Sequence, residues 1–332
     1  MKKTLLALAI ASISASAFAV DTSSQNSRNE DMFAFDPMHK DQFSVSGSVG
    51  VGGYYDTGSK AFYDDWATGL TLAVNYRNNR IVGYFETDLM LNYTTDNATS
   101  PILKDGSEFA TDVDKAWLGF DTGFGIASFG WENDTALDAV DGAGDNTYEF
   151  GASAGDASDA FNVVKFQGTT GGFAYGVSYF ETDDTHVDAE KGVNGYVGIE
   201  QEIFNVYAGY ETRDSDYDVY TVTGNVQLGA VKLGTNFWIE ETDTKVLDQT
   251  NTGYYVSAGY AVSEDLTLAA GYAANTYEIK GIADLDQSFM NVAVMYTMAK
   301  NMDMGIDIKQ ELDMGEGNEE ETHVFAAAYY YF

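Results

Sequence analysis

Along most of the chain, apolar and polar residues alternate with a period of two. From Met302 to Asp313, Met302, Met304, Ile306, Ile308 and Leu312 fall on one face, and Asp303, Asp307, Lys309, Glu311 and Asp313 on the other. Successive side chains of an extended backbone point to opposite sides, so the pattern predicts a strand with one apolar and one charged face. Ile81 to Tyr93 sets Phe85, Leu89 and Leu91 against Glu86 and Asp88. Val231 to Glu240 sets Leu233, Phe237 and Ile239 against Lys232, Asn236, Trp238 and Glu240. Counting back from the terminus, Phe332, Tyr330, Ala328, Ala326 and Val324 form a row that ends on the last residue. In a soluble sheet that row would be a long apolar edge open to aggregation. On a membrane-spanning strand it faces lipid.

One such strand fits a soluble sandwich as well as a barrel, so the connections arbitrate. Tight turns are predicted at Arg77-Asn78-Asn79-Arg80, Asp121-Thr122-Gly123, Thr170-Gly171-Gly172, Gln201-Glu202, Gly229-Ala230, Ser263-Glu264 and Lys300-Asn301. Longer polar connections are predicted near 56–60, 96–110, 133–159, 183–191, 214–218, 241–250, 278–285 and 314–321. Seven turns alternating with eight loops join sixteen strands and put both termini on the turn side. The prediction is an all-β chain, a transmembrane antiparallel β-barrel of about sixteen strands over residues 42–332, wide enough for an aqueous lumen.

Composition narrows the function. With 17 basic against 52 acidic residues the formal charge is −35, which excludes binding to a nucleic-acid backbone. There is no Cys and there are three His (His39, His186, His323), so thiol chemistry is excluded and neither a multi-histidine metal site nor a cofactor is expected. Residues 1–19 read as a cleaved secretory signal: Lys2 and Lys3, an apolar stretch from Leu5 to Ile13, and Ala17-Phe18-Ala19 as the cleavage site. Residues 20–41, with Arg28, His39 and Lys40, are read as a periplasmic tail or a segment that enters and plugs the lumen.

Several stretches resemble the Gram-negative general porin family across the whole mature region. Ala116-Trp117-Leu118-Gly119-Phe120, a short turn, and Phe124-Gly125-Ile126-Ala127-Ser128-Phe129-Gly130 are similar to that family's fourth and fifth strands. Tyr296 to Met302 and the terminal Phe332 are similar to its last turn and closing strand. The resemblance implies a homotrimer in the outer membrane of a Gram-negative bacterium, in contact with lipid and lipopolysaccharide. It also implies that Phe332 serves as the insertion signal for the barrel-assembly machinery. It further implies that the third external loop, here 133–159, folds into the lumen and narrows it. Asp134, Asp138, Asp141, Asp145 and Glu149 of that segment, with Asp114, are therefore the expected constriction, and Glu86, Asp88, Arg213, Trp238 and Glu240 the expected lumen wall.

The chain departs from the family in lacking a ladder of arginines opposite this loop. The arginine that opens the family's fourth strand falls at Asp114, and the Gly-Arg after its fifth strand reads Gly130-Trp131. Carboxylates crowded in a low-dielectric wall concentrate cations, so the expectation is a passive channel for small hydrophilic solutes and ions that prefers cations, with selectivity and conductance falling in acid. The alternative is an oligosaccharide-specific channel, with Trp238, Tyr196 and Tyr207 stacking on sugar rings. Gly151-Ala152-Ser153-Ala154-Gly155 matches the esterase pattern G-x-S-x-G, but no helical pattern follows it and the three His are scattered, so no enzymatic activity is expected. The acidic run Glu316 to Glu321 offers oxygen ligands but lacks the spacing of a calcium loop.

Overall fold

The computed structural model describes residues 41–64, 66–95, 108–182, 190–244, 247–315 and 317–332. The signal segment 1–19 and nearly all of the tail or plug 20–41 lie outside the described residues, as does most of the 96–110 connection. The first strands are β1 (Gln42–Asp56), β2 (Ala61–Asp64), β3 (Gly69–Asn78), β4 (Ile81–Thr94), β5 (Glu108–Asp121) and β6 (Ile126–Asp134). A single helical turn, α1 (Asp138–Asp141), lies between β6 and β7 (Asp159–Thr170). There follow β8 (Phe173–Glu181), β9 (Lys191–Glu200), β10 (Phe204–Arg213), β11 (Tyr217–Leu228) and β12 (Val231–Asp243). The chain ends with β13 (Asp248–Ala261), β14 (Leu266–Ile279), β15 (Leu285–Ala299), β16 (Met302–Asp313) and β17 (Thr322–Tyr331).

Each long strand pairs antiparallel with its neighbours, and β1 closes the sheet by pairing with both β3 and β17. Sixteen long strands thus form a closed barrel with no free edge. The seventeenth strand, β2, is a short piece inside the first long connection, held against β1 and β4. All seven tight turns fall where the pattern places them. At Gly171 and Gly172, φ values of 63° and 81° give the left-handed backbone that a two-residue hairpin needs.

The period-two pattern divides outer from inner surface. On β16, Ile306 is 39% exposed, and Asp307 between it and Ile308 is fully buried. On β17, Ala326 and Tyr330 lie outside while Phe325, Ala327 and Tyr329 are buried inside. The outer face is apolar on strand after strand, as a lipid-facing surface must be, because hydrocarbon offers no partner to polar side chains.

Two boundaries differ from the expectation. The first connection runs on to residue 68, because β2 folds back within it. The loop expected at 241–250 shrinks to 244–247: β12 and β13 stay paired through Glu241–Thr250, Thr242–Gln249 and Asp243–Asp248. Both strand faces are polar there, so the hydropathy alternation ends before the hydrogen-bonded ladder does.

The candidate pore constriction

The residues between β6 and β7 lie against the inner wall. Ala136 N donates to Ser178 Oγ on β8 (2.9 Å), and Leu137 N to Asn194 Oδ1 on β9 (3.3 Å). Gly144 N donates to Asn236 Oδ1 on β12 (2.8 Å) and its carbonyl accepts from Ser257 Oγ on β13 (2.7 Å). Loop backbone touches wall backbone here, and a Cβ on Gly144 or on Gly234 of β12 would overlap the carbonyl of Thr235 or Gly144 respectively. At the far wall, Asp307 Oδ2 on β16 accepts the N–H groups of Tyr148, Glu149 and Phe150 at 3.1, 2.9 and 3.0 Å. Tyr148 and Phe150 pack there with Tyr54, Phe325, Tyr329 and Trp66. On the way back, Glu240 accepts Gly155 N (2.6 Å) and Glu211 accepts Ala157 N (3.0 Å).

The segment therefore follows the inner face from β8 round to β16, while β3–β5 carry their own row of inward side chains. Inward residues on those strands include Thr71, Glu86, Asp88, Asp114 and Lys115. Glu86 and Asp114 reach the same cation because of a bulge. Glu86 pairs with Lys115 and Thr87 with Val113, so Asp114 is the extra residue, and its side chain joins that of Lys115 instead of opposing it. Lys115 Nζ is 3.2 Å from Asp114, 3.2 Å from Asp134 and 3.9 Å from Glu86. Lys165 of β7 approaches the same group, donating to the carbonyl of Asp134 at 2.7 Å.

The other expected site residues occupy distinct environments. Asp138 and Asp141 are buried, Asp141 beside Ser153, so neither presents its carboxylate to open lumen. Burial pushes the Asp141 carboxyl up to about 6, and that of Asp156 well above the ordinary carboxylate range, where Asp141, Asp138 and Glu211 add repulsion. Asp145 is also raised by burial, while it accepts Thr147 N and Oγ1 at 2.8 Å. Glu149 accepts the Tyr54 hydroxyl (2.5 Å), and Asp88 accepts Thr71 Oγ1 (2.5 Å). Arg213 is committed to Glu211 (2.6 Å) and to the Gly155 carbonyl (3.1 Å). Trp238 is 4% exposed and packs with Ala154, Val219 and Tyr255, and Tyr207 is buried with its hydroxyl on Glu200 (3.0 Å). Trp131 points outward, 63% exposed. Phe332 closes the seam through paired backbone bonds with Gly47 (3.0 and 3.1 Å).

A family model described as Gram-negative porin matches residues 4–314. The chain belongs to the Gram-negative porin family. Its barrel makes this porin an integral outer-membrane protein, and family and fold together point to a channel rather than an enzyme. No curated protein sequence matches the chain. Among solved structures, the in-vitro folded OmpT of Vibrio cholerae superposes with a TM-score of 0.67 at 17% identity, covering 91% of this chain and 100% of that one. OmpF of Salmonella typhi in complex with daunomycin gives 0.64 at 15% identity, covering 89% and 100%. The anion-selective porin of Comamonas acidovorans gives 0.64 at 13% identity, covering 88% and 100%. At such identities the likeness extends to the fold.

Sequence reasoning missed Lys115 and Lys165 as the cations that meet Asp134. Lys165 has the parity of the buried Val163 and was accessible to the period-two rule. The parity of Asp114 and Lys115 depends on the bulge, which sequence alternation does not reveal.

Proposed function

We propose that this porin passes small hydrophilic solutes and ions by diffusion and prefers cations. The observation that carries the reading is the inward charge of β4–β6: Glu86, Asp114 and Asp134 gather about Lys115, with Lys165 behind Asp134 and Asp88 one inward position along β4 from Glu86. Among the described residues, the inward arginine of β3–β5 is Arg77, which is paired with Asp121 at 2.8 Å. Negative potential in a narrow water-filled passage raises the local cation concentration and is screened over about 8 Å at physiological salt. The Comamonas relative is anion-selective on the same fold, so selectivity belongs to these side chains and not to the barrel. A saccharide channel needs open aromatic faces, and the burial of Trp238 and Tyr207 weighs against that alternative. No catalytic role is assigned to the Gly151–Gly155 pattern.

The same reading takes the assembly to be a homotrimer, supported by a trimer form of Vibrio cholerae OmpT. Lipid and lipopolysaccharide would cover the apolar face, and the barrel-assembly machinery would read Phe332. The test is the zero-current potential in a planar bilayer under a KCl gradient. Cation preference is expected, weakened in Asp88→Asn and Asp114→Asn and little changed in Asp138→Asn, whose carboxylate is buried. Anion preference in the unmodified protein would overturn the proposal.

A further inference from the structure

Where the first and last strands meet at the long-loop end, four side chains converge. Asp56 ends β1, His323 stands directly opposite it on β17, Glu321 lies two residues before His323, and Glu311 is on β16. Asp56, His323 and Glu311 have the parity of the buried Tyr54, Phe325 and Asp307, so they face the lumen at its mouth. His323 Nδ1 lies 3.0 Å from Asp56 Oδ2, and its Nε2 lies 3.0 Å from Glu311 Oε1. One ligand atom each from Asp56, Glu321 and His323 lie within 4.8 Å of one another.

We propose that Asp56, Glu321 and His323 bind one divalent transition-metal ion of the zinc class, with Glu311 orienting the imidazole from behind. Three features of the cluster suit a bound cation. One oxygen from each of the Asp56 and Glu321 carboxylates and one imidazole nitrogen lie within 4.8 Å of one another, a spacing that a single cation can span. Lys309 Nζ sits 3.7 Å from Glu311 Oε1, the oxygen that faces Nε2. Glu311 is held in place by accepting Glu321 N at 3.0 Å and lies 3.0 Å from Nε2, so that with the proton on Nε2 the Nδ1 lone pair is directed towards Asp56 and Glu321. This carboxylate–histidine–metal order is how imidazole ligands are commonly fixed.

Distances and donor chemistry agree. Arms of about 2.0–2.1 Å place the donors of a tetrahedral ion about 3.3 Å apart, close to the 3.0 Å between Nδ1 and Oδ2. Gly58 N and Ser59 N hold the other oxygen of Asp56 at 2.7 and 3.0 Å, which leaves Oδ2 for the ion. One imidazole with two carboxylates suits first-row divalent ions, whereas calcium prefers six to eight oxygens. An ion here would tie the two ends of the barrel together across its closing seam and add positive charge at the pore mouth.

The test is isothermal titration calorimetry of the full chain in detergent, stripped with EDTA and free of added histidines, with ZnCl2 and CaCl2 as probes. One Zn2+ per chain is expected, bound more tightly than Ca2+, with affinity lowered at least about tenfold in His323→Ala and in Glu321→Gln. Glu311→Gln should keep the one-to-one stoichiometry and weaken binding about 10–100-fold. His39 and His186 remain in every variant, so the differences isolate this site. Glu321 lies outside the strand ladder, which keeps the test open if His323→Ala fails to fold. In bilayers, micromolar Zn2+ should shift the zero-current potential of the unmodified channel and leave Glu321→Gln unaffected. Equal Zn2+ titrations of the unmodified protein and the His323 and Glu321 variants would overturn the proposal, as would Ca2+ binding as tightly as Zn2+.

Discussion

Asp307→Ala tests whether the inner segment is held by discrete carboxyl anchors. Asp307 Oδ2 accepts three successive N–H groups, from Tyr148, Glu149 and Phe150, at 2.9–3.1 Å, and Asn291 Nδ2 approaches the same carboxyl at 3.3 Å. Hydrogen bonds to a charged group contribute about 1.5–3 kcal/mol each when buried. Water from the lumen would rescue part of that loss once the turn lifts, so a local cost of roughly 3–4 kcal/mol is expected rather than the full sum. At about 1.4 kcal/mol per decade, amide hydrogen exchange at 148–150 should accelerate between about 10²- and 10³-fold. Asp307→Asn keeps an acceptor oxygen and loses the charge assistance, so its acceleration should be nearer 10–30-fold. The amide of Ala157, held by Glu211 at the other end of the segment, should keep its protection in both variants. Unchanged exchange at 148–150 in Asp307→Ala would refute the anchoring argument. Equal loss at Ala157 would show that the segment opens as one unit.

Two further outcomes follow from the same segment. Burial raises Asp141 to about 6 from its ordinary 3.8, so between those values the packed segment binds more protons than the released one and is stabilised by acid. The stabilisation is full below about pH 3.8 and is lost as pH rises through 6, a change on the order of 3 kcal/mol. Exchange at residues 138–144, corrected for its intrinsic pH dependence, should therefore slow on acidification, and Asp141→Asn should flatten the profile. A corrected profile that is already flat in the unmodified protein would contradict this. Gly144→Ala should lift the segment off β12, because its Cβ would overlap the Thr235 carbonyl, at a cost of about 1–3 kcal/mol. Single-channel recordings should then show added open-state noise, and a quiet trace identical to that of the unmodified channel would count against close backbone contact.

What the chain shows in its pattern, and what it hides, divides along a physical line. Every strand of a closed barrel meets lipid on one side and water or packed polar groups on the other, so Ile306, Asp307 and Ile308 announce their faces from neighbouring residues alone. Turn chemistry is equally local, as at Gly171-Gly172. The site depends on pairing between distant segments. Trp238 has the expected inward parity, but its availability is decided by Ala154 of the inner segment packing over it. Asp138 and Asp141 lie in the expected segment, and their burial follows from which side of it meets the wall. Lys115 meets Asp114, Asp134 and Glu86 because one residue is inserted into the β4–β5 ladder. His323 and Asp56 come from opposite ends of the chain and meet because β1 pairs with β17. Lipid exposure is a demand placed on each residue singly, so it is written into the periodicity. Pore charge is a property of register, and a one-residue bulge such as that at Asp114 can relocate a carboxylate without disturbing the apolar face that keeps the barrel in the membrane.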